Sequence, residues 1–156
     1  MDKVRVGVVG LGYWGPNLAR NFDRLSGAEL AYCCDLDEAN LERARKLYPA
    51  ATVTDDYAQL LADDALDAVV VATSVPTHYA LGKLALEAGK HTFIEKPIAL
   101  KAADARDLLE TAEEYGVKLM VGHLLEYHPA VNKMKQLIDD GELGRVFYAY
   151  ANRLNL

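Results

Sequence analysis

The feature that most constrains the fold is the glycine-rich hexamer GLGYWG at positions 10–15. It follows an apolar run at positions 4–9 and leads into a segment in which Leu18, Phe22 and Leu25 recur at helical spacing. Gly10 permits a sharp turn after a strand, and Gly15 lets the following helix sit close to that strand. The N-terminal segment therefore predicts a strand, a tight turn and a helix that opens within the turn.

The same hexamer predicts a dinucleotide site because an acidic residue follows at the required distance. Asp35 ends a second apolar run at positions 30–34, where its carboxylate can accept hydrogen bonds from the adenosine ribose hydroxyls. Gly12 lets the backbone approach a pyrophosphate, and the N–H groups and positive dipole end of the helix favour the phosphates. Tyr13 and Trp14 are expected to flank the phosphates or the nicotinamide. The competing interpretation is a structural glycine turn with a solvent-facing aspartate.

Strand and helix patterns alternate along the first 122 residues. The run at positions 67–72 is continuously apolar, which is typical of a strand covered on both faces of a parallel sheet. The pattern predicts a doubly wound α/β sheet, the Rossmann fold, with strand order 3-2-1-4-5-6 and a dinucleotide-binding domain at 1–122. The predicted strands lie at 4–9, 30–34, 51–54, 67–72, 91–94 and 118–121.

Ligands bind such sheets beyond the carboxyl ends of the strands, where the strand order reverses. The reversal between strands one and four makes the loops 10–15 and 73–76 the two lips of a crevice. Thr73, Ser74 and Val75 are therefore predicted cofactor contacts. The helix after Pro76 is expected to turn one apolar stripe inward, formed by Ala80, Leu81, Leu84, Ala85 and Ala88. His78, in its first turn, is a predicted cofactor contact, with structural packing or an exposed ring as alternatives.

Composition excludes several other classes of function. The net charge of −6 and the absence of a basic stripe argue against nucleic-acid binding. The aliphatic run 68–72 is too short to span a bilayer, and the N-terminus enters a strand without room for a signal peptide, so we predict a cytoplasmic protein without membrane contact. Adjacent strand residues point to opposite faces, so Cys33 and Cys34 are expected to be buried thiols, and no metal site is predicted.

The pattern changes after position 122. A helix with apolar Val131, Met134 and Ile138 precedes a turn, and the bulky segment 145–153 reads as a strand. Because this strand has no partner among the first six, residues 123–156 are predicted to be a junction helix and the first strand of an α+β substrate domain that is otherwise absent. An unpaired strand with exposed aromatic groups is expected to promote self-association.

Together these motifs resemble the glucose-fructose oxidoreductase, inositol dehydrogenase and rhizopine-catabolism (Gfo/Idh/MocA) family. The resemblance covers essentially the whole chain. The C-terminal tail of the chain, 151–156, is similar to that of a branch of the family that acts on nucleotide-linked amino sugars, such as UDP-N-acetylglucosamine 3-dehydrogenases. The motifs that carry the resemblance are the glycine hexamer, Ala72-Thr73 with His78, Glu95-Lys96-Pro97, and Val121-Gly122 followed by Tyr127-His128-Pro129-Ala130.

The resemblance implies roles for individual residues. Lys96 would lie beside the nicotinamide and the substrate hydroxyl, Glu95 would position it, and Pro97 would complete the cofactor contact. Oxidation of an alcohol also removes the hydroxyl proton, which a lysine can accept or relay. His123 and Tyr127 would lie near the substrate. An Asp-x-x-x-His pair expected from the second domain does not occur in the sequence, so we expect weak cofactor binding and no turnover by these residues alone.

The leading hypothesis is an NAD-dependent oxidation of a sugar hydroxyl, at the 3-position of a UDP-linked amino sugar. Asp35 would repel a 2′-phosphate and Leu36 cannot bind one, so NAD is expected over NADP. An inositol, simple-sugar or biliverdin-like substrate is the alternative within the family. A non-catalytic NAD-sensing module is the alternative of another class. The resemblance also implies a homo-oligomeric parent protein.

Overall fold

The computed structural model describes residues 3–152. Within them, six parallel strands form one sheet in the order β3-β2-β1-β4-β5-β6. This order confirms the predicted doubly wound fold and places the reversal between β1 and β4. The strands are β1 (Val4–Val9), β2 (Ala28–Cys34), β3 (Thr52–Thr54), β4 (Ala68–Val71), β5 (His91–Ile94) and β6 (Leu119–Val121).

Five helices connect these strands, and local signals determine where several of them begin and end. The Asp37 side chain caps the second helix by accepting the Ala39 N–H. Gly89 and Gly116, with φ of 73° and 66°, follow the fourth and fifth helices in the left-handed conformation that glycine tolerates. The helices are α1 (Gly15–Arg24), α2 (Glu38–Leu47), α3 (Tyr57–Leu61), α4 (Val75–Glu87) and α5 (Ala102–Glu114).

The core consists of two apolar clusters to which successive strand residues contribute alternately. In β4, Val69 and Val71 belong to one cluster and Val70 to the other, and all three are at most 1 % exposed. Cys34 and Cys33 divide in the same way. Burial raises the pKa of Cys33 to about 12 and that of Cys34 to about 11, with nearby Asp23 and Asp35 respectively adding to it, so both thiols stay protonated at neutral pH.

The inward face of α4 agrees only in part with the predicted stripe. Ala85 is buried and Leu81 half-buried, whereas Ala80, Leu84 and Ala88 are exposed, and His78 and Gly82 are buried instead. A Cβ at Gly82 would lie only 2.5 Å from Cδ1 of Ile94, so the glycine is what lets α4 approach β5 closely. A pattern read from apolar residues alone misses part of this face because a histidine and a glycine occupy it.

The chain divides into two compact units after Gly122. The second unit contains a 3-10 turn (Leu124–Tyr127) and α6 (Pro129–Asp139), which His128 caps by accepting the Ala130 N–H. The predicted strand at 145–153 is wrong for 145–152, which is exposed and irregular; its last residue lies outside the described residues. A strand requires a hydrogen-bonded neighbour, and none of the described residues pairs with this segment.

Across the described residues 3–152, no helix is both long and apolar enough to cross a membrane.

Candidate functional site

The loop 10–15 is held at the carboxyl end of β1 by close contacts that leave no room for a side chain at Gly10 or Gly15. Gly10 has φ of 87°, and a Cβ there would lie 2.7 Å from the backbone nitrogen of Thr73. A Cβ at Gly15 would overlap the carbonyl oxygen of Gly10. The turn and the close approach of α1 to β1 therefore explain these two glycines by protein packing alone.

Gly12 has a different explanation. Its φ lies outside the left-handed range, and a Cβ built on it would meet no described protein atom within 4 Å. Neither backbone conformation nor packing within residues 3–152 therefore requires a glycine at this position. Open space at the exposed tip of a tight loop leaves the backbone accessible to a ligand, which fits the predicted approach of a pyrophosphate.

The N-terminus of α1 is electrostatically suited to an anion. Trp14 occupies the N-cap position but provides no side-chain hydrogen bond, and no acidic residue lies in the first turn. Pro16 lies at the start of the helix, where it removes no helical hydrogen bond. The first turn of α1 therefore contains no carboxylate that offsets the positive end of the helix dipole. Trp14 is 36 % exposed and Tyr13 is 95 % exposed, so both are accessible at this loop.

Asp35 fastens the end of β2 to the glycine loop. Its Oδ2 accepts the Leu11 N–H at 2.5 Å, and its Oδ1 accepts the Asp37 N–H at 2.8 Å. A carboxylate has about four acceptor positions. Two of them are occupied by backbone donors, which leaves capacity for the ribose hydroxyls. The sequence predicts a ligand role for Asp35 but gives no sign of this structural one.

Arg43 is a second residue at this loop that the sequence analysis missed. Its Nη2 donates to the carbonyl oxygen of Leu11 at 3.0 Å and to Oδ1 of Asn40 at 2.8 Å. Together with Asp35, it holds both polar groups of Leu11. A lone arginine on the exposed side of α2 carries no sequence signal that distinguishes it from a solvated surface residue.

The second lip of the crevice begins directly after β4. The hydroxyl groups of Thr73 and Thr77 hydrogen-bond each other at 2.7 Å, and the Thr77 hydroxyl donates to the Ser74 carbonyl at 2.8 Å. Ser74 is the N-cap residue of α4, but its side chain makes no capping bond. Thr73 and Val75 are half-buried and Ser74 is exposed, so all three lie at the rim where the sequence places them.

His78 lies beneath this rim. The ring is 1 % exposed, with Nε2 3.0 Å from the carbonyl oxygen of Thr73 and Nδ1 2.8 Å from that of Pro97. The alternative of an exposed ring is therefore wrong. Direct contact with a cofactor stays a prediction, although both ring nitrogens already face protein oxygens.

Glu95, Lys96 and Pro97 follow β5, the strand next to β4. Glu95 is 8 % exposed, its Oε2 accepts the Lys96 backbone N–H at 3.2 Å, and its Oε1 has no hydrogen-bond partner among the described residues. Lys96 is exposed, and within residues 3–152 its amine forms no ion pair. The Lys96-Pro97 peptide bond is cis.

Gly122 allows the Glu95 carboxylate to occupy its buried position. A Cβ at Gly122 would lie 3.0 Å from both carboxylate oxygens, closer than an ordinary contact. The Gly122 N–H donates to the carbonyl oxygen of Ile94 at 2.9 Å, which ties the ends of β5 and β6 together. From the sequence, Gly122 is recognisable only as part of the motif after the sixth strand.

The structure thus brings the loops 10–15, 73–76 and 95–97 to the same edge of the sheet. His123 and Tyr127 belong to the second compact unit, and both are exposed. Their predicted place near a substrate stays a prediction. Among the described residues, no group of three or more histidine, cysteine or acidic side chains is arranged to hold a metal ion.

Comparison with known proteins identifies the same domain. Residues 4–123 match the Gfo/Idh/MocA family, described as an oxidoreductase family with an NAD-binding Rossmann fold. A D-apiose dehydrogenase of Paraburkholderia graminis is 33 % identical over 148 residues, which cover 95 % of this chain and 40 % of the relative. An inositol 2-dehydrogenase/D-chiro-inositol 3-dehydrogenase of Lactiplantibacillus plantarum is 33 % identical over 144 residues, covering 90 % and 41 %.

The fold is also similar to that of a solved relative. The crystal structure of scyllo-inositol dehydrogenase from Lactobacillus casei with bound NAD(H) and scyllo-inositol superimposes with a TM-score of 0.85 at 28 % identity. The match covers 92 % of this chain and 43 % of that one. The chain thus spans about two fifths of the length of the relatives that it matches.

Proposed function

Because the chain belongs to the Gfo/Idh/MocA oxidoreductase family and contains its NAD-binding Rossmann domain, we propose that it is the cofactor-binding part of an NAD-dependent dehydrogenase that oxidises a secondary hydroxyl group. One observation carries this proposal. Gly12 leaves open space at the tip of the loop before α1, whose N-terminus has no side-chain cap and no acidic residue in its first turn. A pyrophosphate fits both features.

Each lip of the crevice has a separate task in this proposal. Backbone N–H groups at the start of α1 bind the pyrophosphate. Asp35 accepts hydrogen bonds from the adenosine ribose hydroxyls with the acceptor positions that Leu11 and Asp37 leave open.

Thr73 and Ser74, at the second lip, line the path from the phosphates towards β5. The nicotinamide ring, when bound, accepts a hydride. Lys96, at the exposed end of β5, accepts or relays the proton of the reacting hydroxyl.

Glu95 supports Lys96 through the backbone. Its buried carboxylate accepts the Lys96 N–H, which restrains the peptide that carries the lysine side chain. The unpartnered Oε1 of the same carboxylate is costly to bury in an apolar site. The cost is explained if Oε1 accepts a hydrogen bond from a group that enters the crevice during the reaction.

We propose a free cyclitol or simple sugar as the substrate class. The relatives reported above are named for D-apiose and inositol, which favours the alternative substrate over the UDP-linked amino sugar that the tail suggests. That tail, 151–156, lies mostly outside the described residues. A purely NAD-sensing module is disfavoured because it has no need for the Glu95-Lys96-Pro97 tripeptide.

Substrate binding and turnover are proposed to need a second domain. The relatives are more than twice as long as this chain, and we propose that residues 1–122 form the cofactor domain and 123–156 the start of the substrate domain. The sugar pocket and a further proton-transfer residue would then lie in sequence that follows.

The parent protein is proposed to be a cytoplasmic homo-oligomer. The exposed segment 145–152 is proposed to promote self-association of the shorter chain.

Titration with NADH and NADPH tests the cofactor part. Trp14 is the single tryptophan and lies in the glycine loop, so its fluorescence reports directly on this site. We expect NADH to quench Trp14 at lower concentration than NADPH, because Asp35 repels a 2′-phosphate. No quenching by either nucleotide, or tighter NADPH binding, would contradict the proposed site or its preference.

A substrate panel tests the reaction. In the complete protein containing this chain, NAD reduction is followed with scyllo-inositol, D-apiose and UDP-N-acetylglucosamine. Reduction with a free polyol or sugar supports the proposed class, and reduction with the UDP-sugar alone overturns it. NADH binding without turnover of any secondary alcohol favours the sensing module.

A further inference from the structure

The His78 imidazole lies between two loops that belong to neighbouring strands. Its Nε2 is 3.0 Å from the carbonyl oxygen of Thr73, directly beyond β4, and its Nδ1 is 2.8 Å from that of Pro97, beyond β5. The ring is 1 % exposed, so water does not compete for either contact. One buried side chain thus spans the rim of the crevice and the Glu95-Lys96-Pro97 segment.

The two contacts restrict how the ring can be placed. A backbone carbonyl oxygen can only accept a hydrogen bond, so a ring N–H of His78 donates to one of the two oxygens, and the tautomer decides which. Either tautomer leaves the ring hydrogen-bonded to one loop and in contact with the other.

The surroundings of the ring are consistent with such a bridge. The ionisable residues next to its partners are Glu95 and Lys96, which directly precede Pro97, and the first turn of α4 contains no acidic residue. Glu95 is buried and Lys96 exposed, so a carboxylate lies on the inner side of this segment. Thr77, one residue before His78, directs its hydroxyl to Thr73 and Ser74 instead.

We propose that His78 is a positioning residue whose buried ring ties the Thr73 loop to the Pro97 loop and so holds Lys96 at a constant distance from the rim where the cofactor binds. The inference rests on the proposed function, since it takes this crevice as the NAD site. It assigns His78 an indirect role, because the ring itself has no nitrogen available for the cofactor. Reaction geometry is sensitive to displacements of about 1 Å, so a restraint of this kind matters for Lys96.

Nitrogen NMR of the histidine rings tests the bridge on the unmodified chain. The chain has four histidines, and loss of one signal set in a His78→Gln variant assigns His78. We expect a ring N–H of His78 to exchange slowly with water and to show a coupling across its hydrogen bond to the carbonyl group of residue 73 or 97. A ring N–H that exchanges as fast as that of an exposed histidine, or that shows no such coupling, would overturn the bridge, whatever the variants do.

Substitution by phenylalanine tests the positioning role. His78→Phe keeps a planar ring and removes both ring nitrogens, and His91→Phe is the matched control. His91 lies at the start of β5, remote from the carboxyl ends of the strands, where its Nδ1 accepts the Lys118 N–H. In the complete protein, we expect His78→Phe to lower kcat by about 10²-fold, the effect of displacing Lys96 by about 1 Å, while NADH affinity stays within a few-fold. His91→Phe should leave both kcat and NADH affinity within about twofold of the unmodified protein.

The outcomes separate this inference from the proposed function. A folded His78→Phe variant with unchanged kcat would show a structural role only and overturn the inference. If the unmodified chain fails to bind NADH, the proposed function fails, while the NMR result still decides whether the bridge exists. If His78→Phe does not fold, the ring signals of the unmodified chain decide alone.

Discussion

The carboxylate of Asp35 accepts the backbone N–H of Leu11, with 2.5 Å between Oδ2 and the amide nitrogen. Residues 24 positions apart are joined by this bond, which ties the end of β2 to the loop before α1. The acidic residue predicted to recognise the ribose therefore also shapes the loop that recognises the phosphates. Changes at this position are expected to affect both parts of the cofactor site.

We expect Asp35→Asn to weaken NADH binding at least tenfold and to reduce the preference for NADH over NADPH. The amide loses the negative charge that repels a 2′-phosphate, and it keeps only one acceptor oxygen, so either the Leu11 or the Asp37 N–H loses its partner. Asp37→Asn is the control, because Asp37 caps α2 close by without contacting the loop. Because Asn caps a helix about as well as Asp, the control should lose at most about 0.5 kcal/mol of unfolding free energy, with NADH affinity unchanged. Calorimetric titration and thermal unfolding measure both effects; equal nucleotide preference in Asp35→Asn and the parent would contradict the assignment.

Alanine at two glycines of the same loop should separate binding from folding. Gly12→Ala places its Cβ in open space, so we expect unfolding free energy to change by less than about 0.5 kcal/mol while NADH binding weakens markedly. Gly15→Ala places its Cβ against the Gly10 carbonyl, so we expect a loss of several kcal/mol in stability. Denaturant unfolding and Trp14 fluorescence distinguish the pair. A Gly12→Ala variant with full NADH affinity would remove the main support for the proposed site.

We expect Gly122→Ala to destabilise the domain by about 1–3 kcal/mol, because the new methyl group pushes against the Glu95 carboxylate. In a Glu95→Ala background the same substitution should cost much less, since the obstructing group is gone. Gly27→Ala is the control, as a Cβ there meets no described atom within 4 Å. A double-mutant cycle from urea unfolding measures the coupling; additive costs would mean that Gly122 and Glu95 do not interact.

Lys96→Met should abolish most turnover in the complete protein while NADH affinity stays within a few-fold of the parent. The substitution keeps a long side chain at an exposed position and removes the amine that is proposed to handle the hydroxyl proton. General acid–base groups contribute about 10²–10⁴-fold to rate, so we expect a loss in that range. Lys101→Met, at the N-cap of α5, is the control and should retain activity. Retained turnover in Lys96→Met would assign proton transfer to another residue.

Stability should fall as the pH rises above about 9, because burial raises the pKa of Cys33 from 9.0 to about 12 and that of Cys34 from 9.0 to about 11. Between these values the folded chain binds more protons than the unfolded chain, so unfolding becomes more favourable with increasing pH. The stability that the two protonated thiols contribute is fully present below pH 9 and is lost as the pH rises through 11 and 12. We expect the free energy of unfolding, measured with urea, to decline by a few kcal/mol across this pH range. The decline should be smaller in the double variant Cys33→Ala/Cys34→Ala. Identical pH profiles in the two proteins would contradict this cause.

The order of the strands and the position of the glycine loop could be predicted from the sequence because they depend on local signals. Apolar runs define strands, and the spacing from Gly10 to Asp35 requires a turn, a helix and a second strand in succession. The rule that parallel strands present their carboxyl ends at one edge then places Thr73 and Lys96 beside the glycine loop. Each step uses neighbouring residues or a general rule of chain connectivity.

Only the tertiary structure determined the contacts between residues that are distant in sequence. The inward turn of His78 depends on the Thr73 and Pro97 carbonyls, and the buried state of Glu95 depends on the missing side chain at Gly122. The segment 145–152 has the composition of a strand but is irregular, because strand formation requires a hydrogen-bonded neighbour. Residue type thus determined the elements and the candidate chemistry, whereas the partners of buried polar groups followed from packing, since their cost depends on what surrounds them.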